Sequence, residues 1–227
     1  PNEDKYQKAG CAYNFHTLSF DLTPLHDDDE IFLASCYPYT FSDLQTFLAR
    51  LSSDALRSQT FVRRELAMTV AGNACEVLVV SADLDAARLQ KLRTKPAIVI
   101  SARVHPGESN ASYVMQGVLE HVTGSSQNAQ LLRERYVIYL VPMLNPDGVI
   151  NGNHRCSLSG QDLNRQWVEP GAKLHPTIRS LKTLLSELAA EERLSLFCDL
   201  HGHSSRKGLF LYSCESSVAA LPTILAR

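Results

Sequence analysis

Short apolar runs rich in β-branched residues alternate along this chain with stretches of helical periodicity, and this pattern most limits its fold. Glu76–Ser81, Ala97–Ala102, Tyr136–Met143, Leu194–Leu200 and Leu209–Tyr212 read as strands, and Leu66, Met68 and Val70 alternate as a further strand would. Between them, Phe41–Leu56, Asn110–Val122 and Pro176–Leu188 repeat apolar residues at helical spacing. Thr40 or Ser42 is placed to cap the first helix, and Ser109 or Asn110 the second. Strands alternating with helices predict an α/β fold, a mixed and mostly parallel sheet flanked by helices. Residues 1–39 differ. Ala12–Leu22 alternates loosely, and the acidic turn Asp27, Asp28, Asp29, Glu30 precedes Ile31–Ser35. This stretch reads as extended segments at the tail of an all-β unit, with the α/β domain occupying residues 40–227.

In open α/β sheets, sites form outside the carboxyl ends of the strands. Four polar clusters are placed to meet there: Arg103-Val-His-Pro-Gly-Glu108, Asn145-Pro-Asp-Gly148, Asn153-His-Arg-Cys with Asp162-Leu-Asn-Arg165, and Asp199-Leu-His-Gly-His-Ser204. His105 and Glu108 form an H-x-x-E pair, a common spacing with little specificity by itself. His201 follows a strand expected to be buried, and its imidazole is expected at the same sheet edge as a third donor. Two histidines and a glutamate, with a fourth position open, are the donor set of a hydrolytic zinc. His203 competes with His201, because H-x-H pairs also bind metals.

Arg155 and Arg165 lie in a segment with few secondary-structure signals, where arginines are ordinarily solvated. Near a zinc-activated water, cations have two uses in peptide hydrolysis: one steadies an oxyanion, another pairs with a terminal carboxylate. Asp162 is either an ordinary loop cap or the acceptor of a ligand imidazole's free N–H.

The six cysteines are scattered without a C-x-x-C pair, so zinc knuckles and redox motifs are not indicated. They read as reduced thiols of a cytosolic protein. A formal net charge of −2 gives no electrostatic argument for nucleic acid or an anionic membrane as partner.

Taken in order, His105-Pro-Gly-Glu108, Asn145-Pro-Asp-Gly148, Asp162-Leu-Asn-Arg165 and Asp199-Leu-His201-Gly-His-Ser resemble the zinc metallocarboxypeptidase family of the carboxypeptidase A type. The wording is closer to its cytosolic carboxypeptidase subfamily: Arg103-Val-His-Pro-Gly-Glu, Pro142-Met-Leu-Asn-Pro-Asp-Gly-Val and Cys198-Asp-Leu-His-Gly-His-Ser all look like that group. Tyr37-Pro-Tyr-Thr-Phe-Ser resembles the stretch that joins a β-sandwich to the subfamily's catalytic domain. The resemblance implies one Zn2+ held by His105, Glu108 and His201, rather than His203. It implies Arg155 at the oxyanion, Asn164 and Arg165 on the substrate's terminal carboxylate, and Asp162 orienting His105. It also implies a substrate with a glutamate-rich protein C-terminus, such as tubulin's, and a cytoplasmic location.

One departure stands out. The family's general base is a glutamate on a strand well beyond the last zinc histidine. Only 26 residues follow His201, and their one glutamate, Glu215, comes too early. That base is expected beyond Arg227, and the chain is read as part of a longer enzyme. Two rival readings share the metal: a zinc deacylase on the same fold, and a catalytically incomplete module that binds acidic tails.

Overall fold

Thr40 starts the first helix by a reciprocal pair of hydrogen bonds. Its Oγ1 accepts the Asp43 N–H at 3.0 Å, and the Asp43 carboxylate accepts the Thr40 N–H at 2.7 Å. This helix, α1, is Phe41–Ser53, and it buries Leu44, Phe47, Leu48 and Leu51, the apolar stripe read from the sequence. It stops short of Leu56 because Asp54 turns extended and its carboxylate accepts the N–H groups of Leu56 and Arg57.

The computed structural model describes residues 18–34, 36–84, 92–203 and 205–212. Two units are distinguished, Pro1–Ser35 and Cys36–Arg227. In the first, residues 18–34 are exposed and carry no strand, with a turn at Asp27–Asp28. The rest of the expected run from Ala12 lies outside the described residues.

The second unit holds a five-stranded sheet. After α1 come β1 (Phe61–Met68), β2 (Ala74–Val80) and β3 (Ala97–Ala102), then α2 (Ser109–Val122) and α3 (Gln127–Arg135). These are followed by β4 (Val137–Val141), the short α4 (Pro146–Ile150), α5 (Pro176–Ala190) and β5 (Leu194–Leu200). The sheet order is β1-β2-β4-β3-β5. β2 is antiparallel to both neighbours, while β3 is parallel to β4 and β5, so every strand but β2 runs the same way.

Helices cover both faces, because alternate residues of each strand point to opposite sides. Leu78, Val80, Ala102, Ile138 and Leu140 pack with α1 and α2 through Leu48, Met115 and Leu119. On the other face, Val77, Val99 and Val141 meet Ile178, Leu181 and Leu188 of α5.

Three expectations are corrected. Leu209–Tyr212 forms no strand; Phe210 and Tyr212 instead meet edge to face, with the Arg206 guanidinium over both rings. Val70 belongs to the turn after β1 rather than to a strand, because Gly72, at φ 80°, closes the β1–β2 hairpin there. β5 is not buried: it lies at the sheet edge among the described residues, and Phe197 is 36% exposed.

Candidate metal centre

The parallel register sets where the chemistry meets. Ser101 of β3 lies opposite Val141 of β4 and Asp199 of β5, so all three strands release their chains at one edge. β3 leaves into the turn that carries His105 and Glu108; β5 leaves into His201.

Several bonds hold the first of these turns. Arg103 takes a left-handed conformation, φ 61°, and its buried guanidinium donates to Pro106 O and to Ser112 Oγ, each at 2.8 Å. Asn145 Nδ2 donates to Val104 O at 3.1 Å while Asn145 Oδ1 accepts the Gly148 N–H at 3.0 Å. The Gly107 N–H donates to His154 O at 2.8 Å. That approach leaves no room for a side chain, since a Cβ on Gly107 would sit 2.6 Å from both His154 O and His154 Nδ1. Asp147 belongs to a different brace. It accepts from Thr69 Oγ1, the Ala71 N–H and Asn73 Nδ2, fastening the β1–β2 hairpin to α4.

The cap expected from Ser109 or Asn110 is not made by either. Glu108 occupies the N-cap position of α2, and its carboxylate makes no cap bond because it is turned toward two imidazoles. Glu108 Oε1 accepts from His105 Nδ1 at 2.9 Å, and Oε2 accepts from His201 Nδ1 at 3.0 Å and from the Gly202 N–H at 2.8 Å. Ligand atoms of His105, Glu108 and His201 all lie within 4.8 Å of one another. The imidazole centroids are 5.0 Å apart.

Each ring's other nitrogen is held as well. His105 Nε2 meets Asp162 Oδ1 at 3.1 Å, and His201 Nε2 meets Asp199 Oδ2 at 2.6 Å. Asp199 in turn accepts from Ser101 Oγ at 2.6 Å, and Asp162 from Arg155 Nε at 2.8 Å and the Asn164 N–H at 2.9 Å. Asp199 was not singled out from the sequence as a holder of His201. The signal was there: a carboxylate two residues before a histidine at a strand end is placed to take that imidazole's outer N–H.

These contacts set the charges. Burial opposes ionisation of Glu108, but hydrogen bonds from His105, His201 and Gly202 outweigh it and keep the carboxyl well below its ordinary range. Asp162 follows the same pattern: burial works against its charge, and the Asn164 N–H, His105 and Arg155 lower its pKa nonetheless. His201 is pushed up to about 10, chiefly by its bond to Asp199 and then by that to Glu108.

Not every residue read from the sequence joins the cluster. Asn164 Oδ1 is taken by Trp167 Nε1 at 2.8 Å. Arg165 shares a 3-10 turn with Asn164, is exposed, and donates to Asn164 O at 3.3 Å. His203 lies apart, its Nδ1 accepting the Ser205 and Arg206 N–H groups and its ring set against Phe210. The structure thus groups His201, and not His203, with His105 and Glu108.

The donor chemistry fits zinc. Two imidazole nitrogens and one carboxylate match its hydrolytic donor set, and a carboxylate behind each imidazole fixes which nitrogen faces inward.

Comparison with known proteins agrees. The zinc carboxypeptidase family model matches residues 53–208. Cytosolic carboxypeptidase 1 of Mus musculus is 50% identical over 207 residues, covering 89% of this chain and 17% of the relative. Cytosolic carboxypeptidase 4 of Homo sapiens is 48% identical over 206 residues, covering 88% of this chain and 18% of the relative. The chain therefore spans under a fifth of the length of these two relatives. Among solved structures, the metallo-carboxypeptidase from Burkholderia cenocepacia superposes with a TM-score of 0.61 at 27% identity, over 73% of this chain and 42% of that one. With the family model matched across β1 to β5 and the donor cluster at the ends of β3 and β5, the chain belongs to the zinc carboxypeptidase family.

Proposed function

We propose that residues 40–227 are the zinc-bearing, N-terminal part of a metallocarboxypeptidase catalytic domain, and that residues 1–39 close a preceding β-sandwich. The whole protein would hydrolyse C-terminal amino acids, with glutamate from polyglutamylated tails such as tubulin's as the leading substrate. The observation that carries this reading is the convergence of His105, Glu108 and His201, with Arg155 bound to Asp162 at its border.

His105, Glu108 and His201 are the ligands in this reading. Zinc bound there supplies Lewis-acid polarisation of a water and of the scissile carbonyl. Asp162 and Asp199 each keep a proton on the Nε2 of the adjacent histidine, leaving Nδ1 for the metal. Arg155 spends only its Nε on Asp162, and its terminal nitrogens have no partner among the described residues. They are the donors for a developing oxyanion. Asn164 and Arg165, on the turn that follows Asp162, grip the free carboxylate and restrict cleavage to a chain end.

The glutamate preference rests on the subfamily wording and on relatives named as cytosolic carboxypeptidases. The same names support a cytosolic location for this protein. Among the described residues, no helix is long and apolar enough to cross a membrane.

The test is zinc content, by elemental analysis, together with release of free glutamate from a glutamate-tailed peptide by the full-length protein. Zinc-dependent release is expected. Bound zinc with no release favours a module that binds acidic tails, release of an acyl group instead favours the deacylase, and absence of zinc overturns the metal centre.

A further inference from the structure

Arg103 opens the turn that carries two of the three donors, and the mechanism above gives it no part. It is only 4% exposed, so an always-charged guanidinium is enclosed in protein. Such a placement is costly unless the group makes bonds the structure needs. Its bonds go to Pro106 O, between His105 and Glu108, and to Ser112 Oγ, in the first turn of α2. The backbone of Arg103 is also left-handed, at φ 61°, a conformation that long side chains seldom adopt. Coming directly after the last residue of β3, it turns the chain so that the side chain can reach the carbonyl three residues ahead. A buried charge, a disfavoured backbone and the donor turn therefore coincide in one short segment.

We infer that Arg103 is a positioning residue of the metal centre: its guanidinium clamps Pro106 O and Ser112 Oγ and so holds His105 and Glu108 at ligand spacing against α2. The planar fork suits this task, because two fixed N–H vectors reach two acceptors, which a lysine ammonium cannot reproduce. The inference rests on His105 and Glu108 being ligands.

Its test uses the full-length protein with Arg103→Met, Arg103→Lys and Ser112→Ala. Zinc affinity is measured by competition with a chromophoric chelator, and donor geometry by the visible spectrum of the cobalt(II)-substituted protein. Arg103→Met is expected to lose about 10–100-fold in zinc affinity, the range for groups that orient metal ligands. Arg103→Lys should recover only part of it, Ser112→Ala should lose less, and the cobalt bands should shift in all three. A core variant outside the turn, Leu48→Ala in α1, supplies the purely structural comparison, since it should lower the melting temperature while leaving zinc affinity unchanged. Wild-type affinity and spectra in the Arg103 variants, or a loss no greater than that of Leu48→Ala, overturn the inference. If Arg103→Met does not fold, unchanged affinity in both Arg103→Lys and Ser112→Ala overturns it equally. A wild-type protein that binds no zinc, or that binds as tightly after His105→Ala, overturns the metal-centre reading and this inference together.

Discussion

The Asp199 carboxylate ties His201 to the neighbouring strand: one oxygen lies 2.6 Å from His201 Nε2, and the other accepts Ser101 Oγ from β3 at 2.6 Å. A carboxylate in that place holds the imidazole's orientation and raises its basicity. Asp199→Asn preserves the shape and removes the charge. Zinc affinity should fall about 10–100-fold, with a similar loss for Asp162→Asn behind His105. Chelator competition measures both, and wild-type affinity in Asp199→Asn removes it from any role at the metal.

The metal-free protein should lose stability in alkali. His201 stands at about 10 in the folded chain against an ordinary 6.5. A pKa raised by folding adds stability that is complete below about 6.5 and is lost as the pH climbs through 10. Glu108 has the opposite sign: its lowered pKa adds stability above the ordinary 4.5, lost on acidification. Melting temperature without metal should therefore be highest between these two ordinary values and decline from pH 6.5 to 10. Ligand imidazoles must be deprotonated at the atom that binds, so zinc uptake should release protons and tighten across the same interval. Scanning calorimetry follows the first effect, and titration calorimetry in buffers of different ionisation enthalpy follows the second. A flat metal-free melting curve across that range contradicts the assignment.

Two glycines close together in sequence should respond in opposite directions. Gly107→Ala puts a methyl 2.6 Å from two atoms of His154, and such overpacking costs about 1–3 kcal/mol. It should also weaken zinc binding, because the displaced backbone lies between His105 and Glu108. Gly117 sits inside α2 with nothing within 4 Å of a new Cβ. Gly117→Ala should gain about 0.5–1 kcal/mol from helix propensity alone. Denaturant unfolding of the two variants decides both.

Kinetics should separate the two arginines. Arg165→Ala should raise KM steeply for substrates with a free terminal carboxylate, and an unchanged KM excludes it as their anchor. Arg155→Gln should mainly lower kcat, by about 100–1,000-fold, the usual effect of losing one oxyanion donor. Steady-state assays of the full-length protein on glutamate-tailed peptides measure both values.

Much of this architecture is visible in the sequence where one force dominates. β3 and β5 have the bounds that their apolar runs predict, and α1 has the cap and buried stripe that its spacing predicts. Residues whose partners are remote in sequence are harder to read. α3 was not anticipated, because it buries only Ala129 and Arg133 and so carries no apolar period. The start of β1 is masked by Arg63, Arg64 and Glu65, yet Arg63 pairs with Glu76 of β2 across the hairpin. Glu108 misled in another way. It stands at the N-cap position beside Ser109 and Asn110, residue types that favour caps, while its carboxylate is committed to His105 and His201. Arg103 was legible as part of a motif, but its burial was not.

The placement of the third donor has a consequence for assembly. His105 and Glu108 come from a single turn, whereas His201 is brought to them by the pairing of β5 with β3, from Ile98 opposite Leu196 to Ala102 opposite Leu200. A nascent chain with β5 still unpaired offers two donors and cannot complete the set. Metal held by all three donors would therefore stabilise the pairing of β5 with β3, so that binding and closure of this sheet edge are linked.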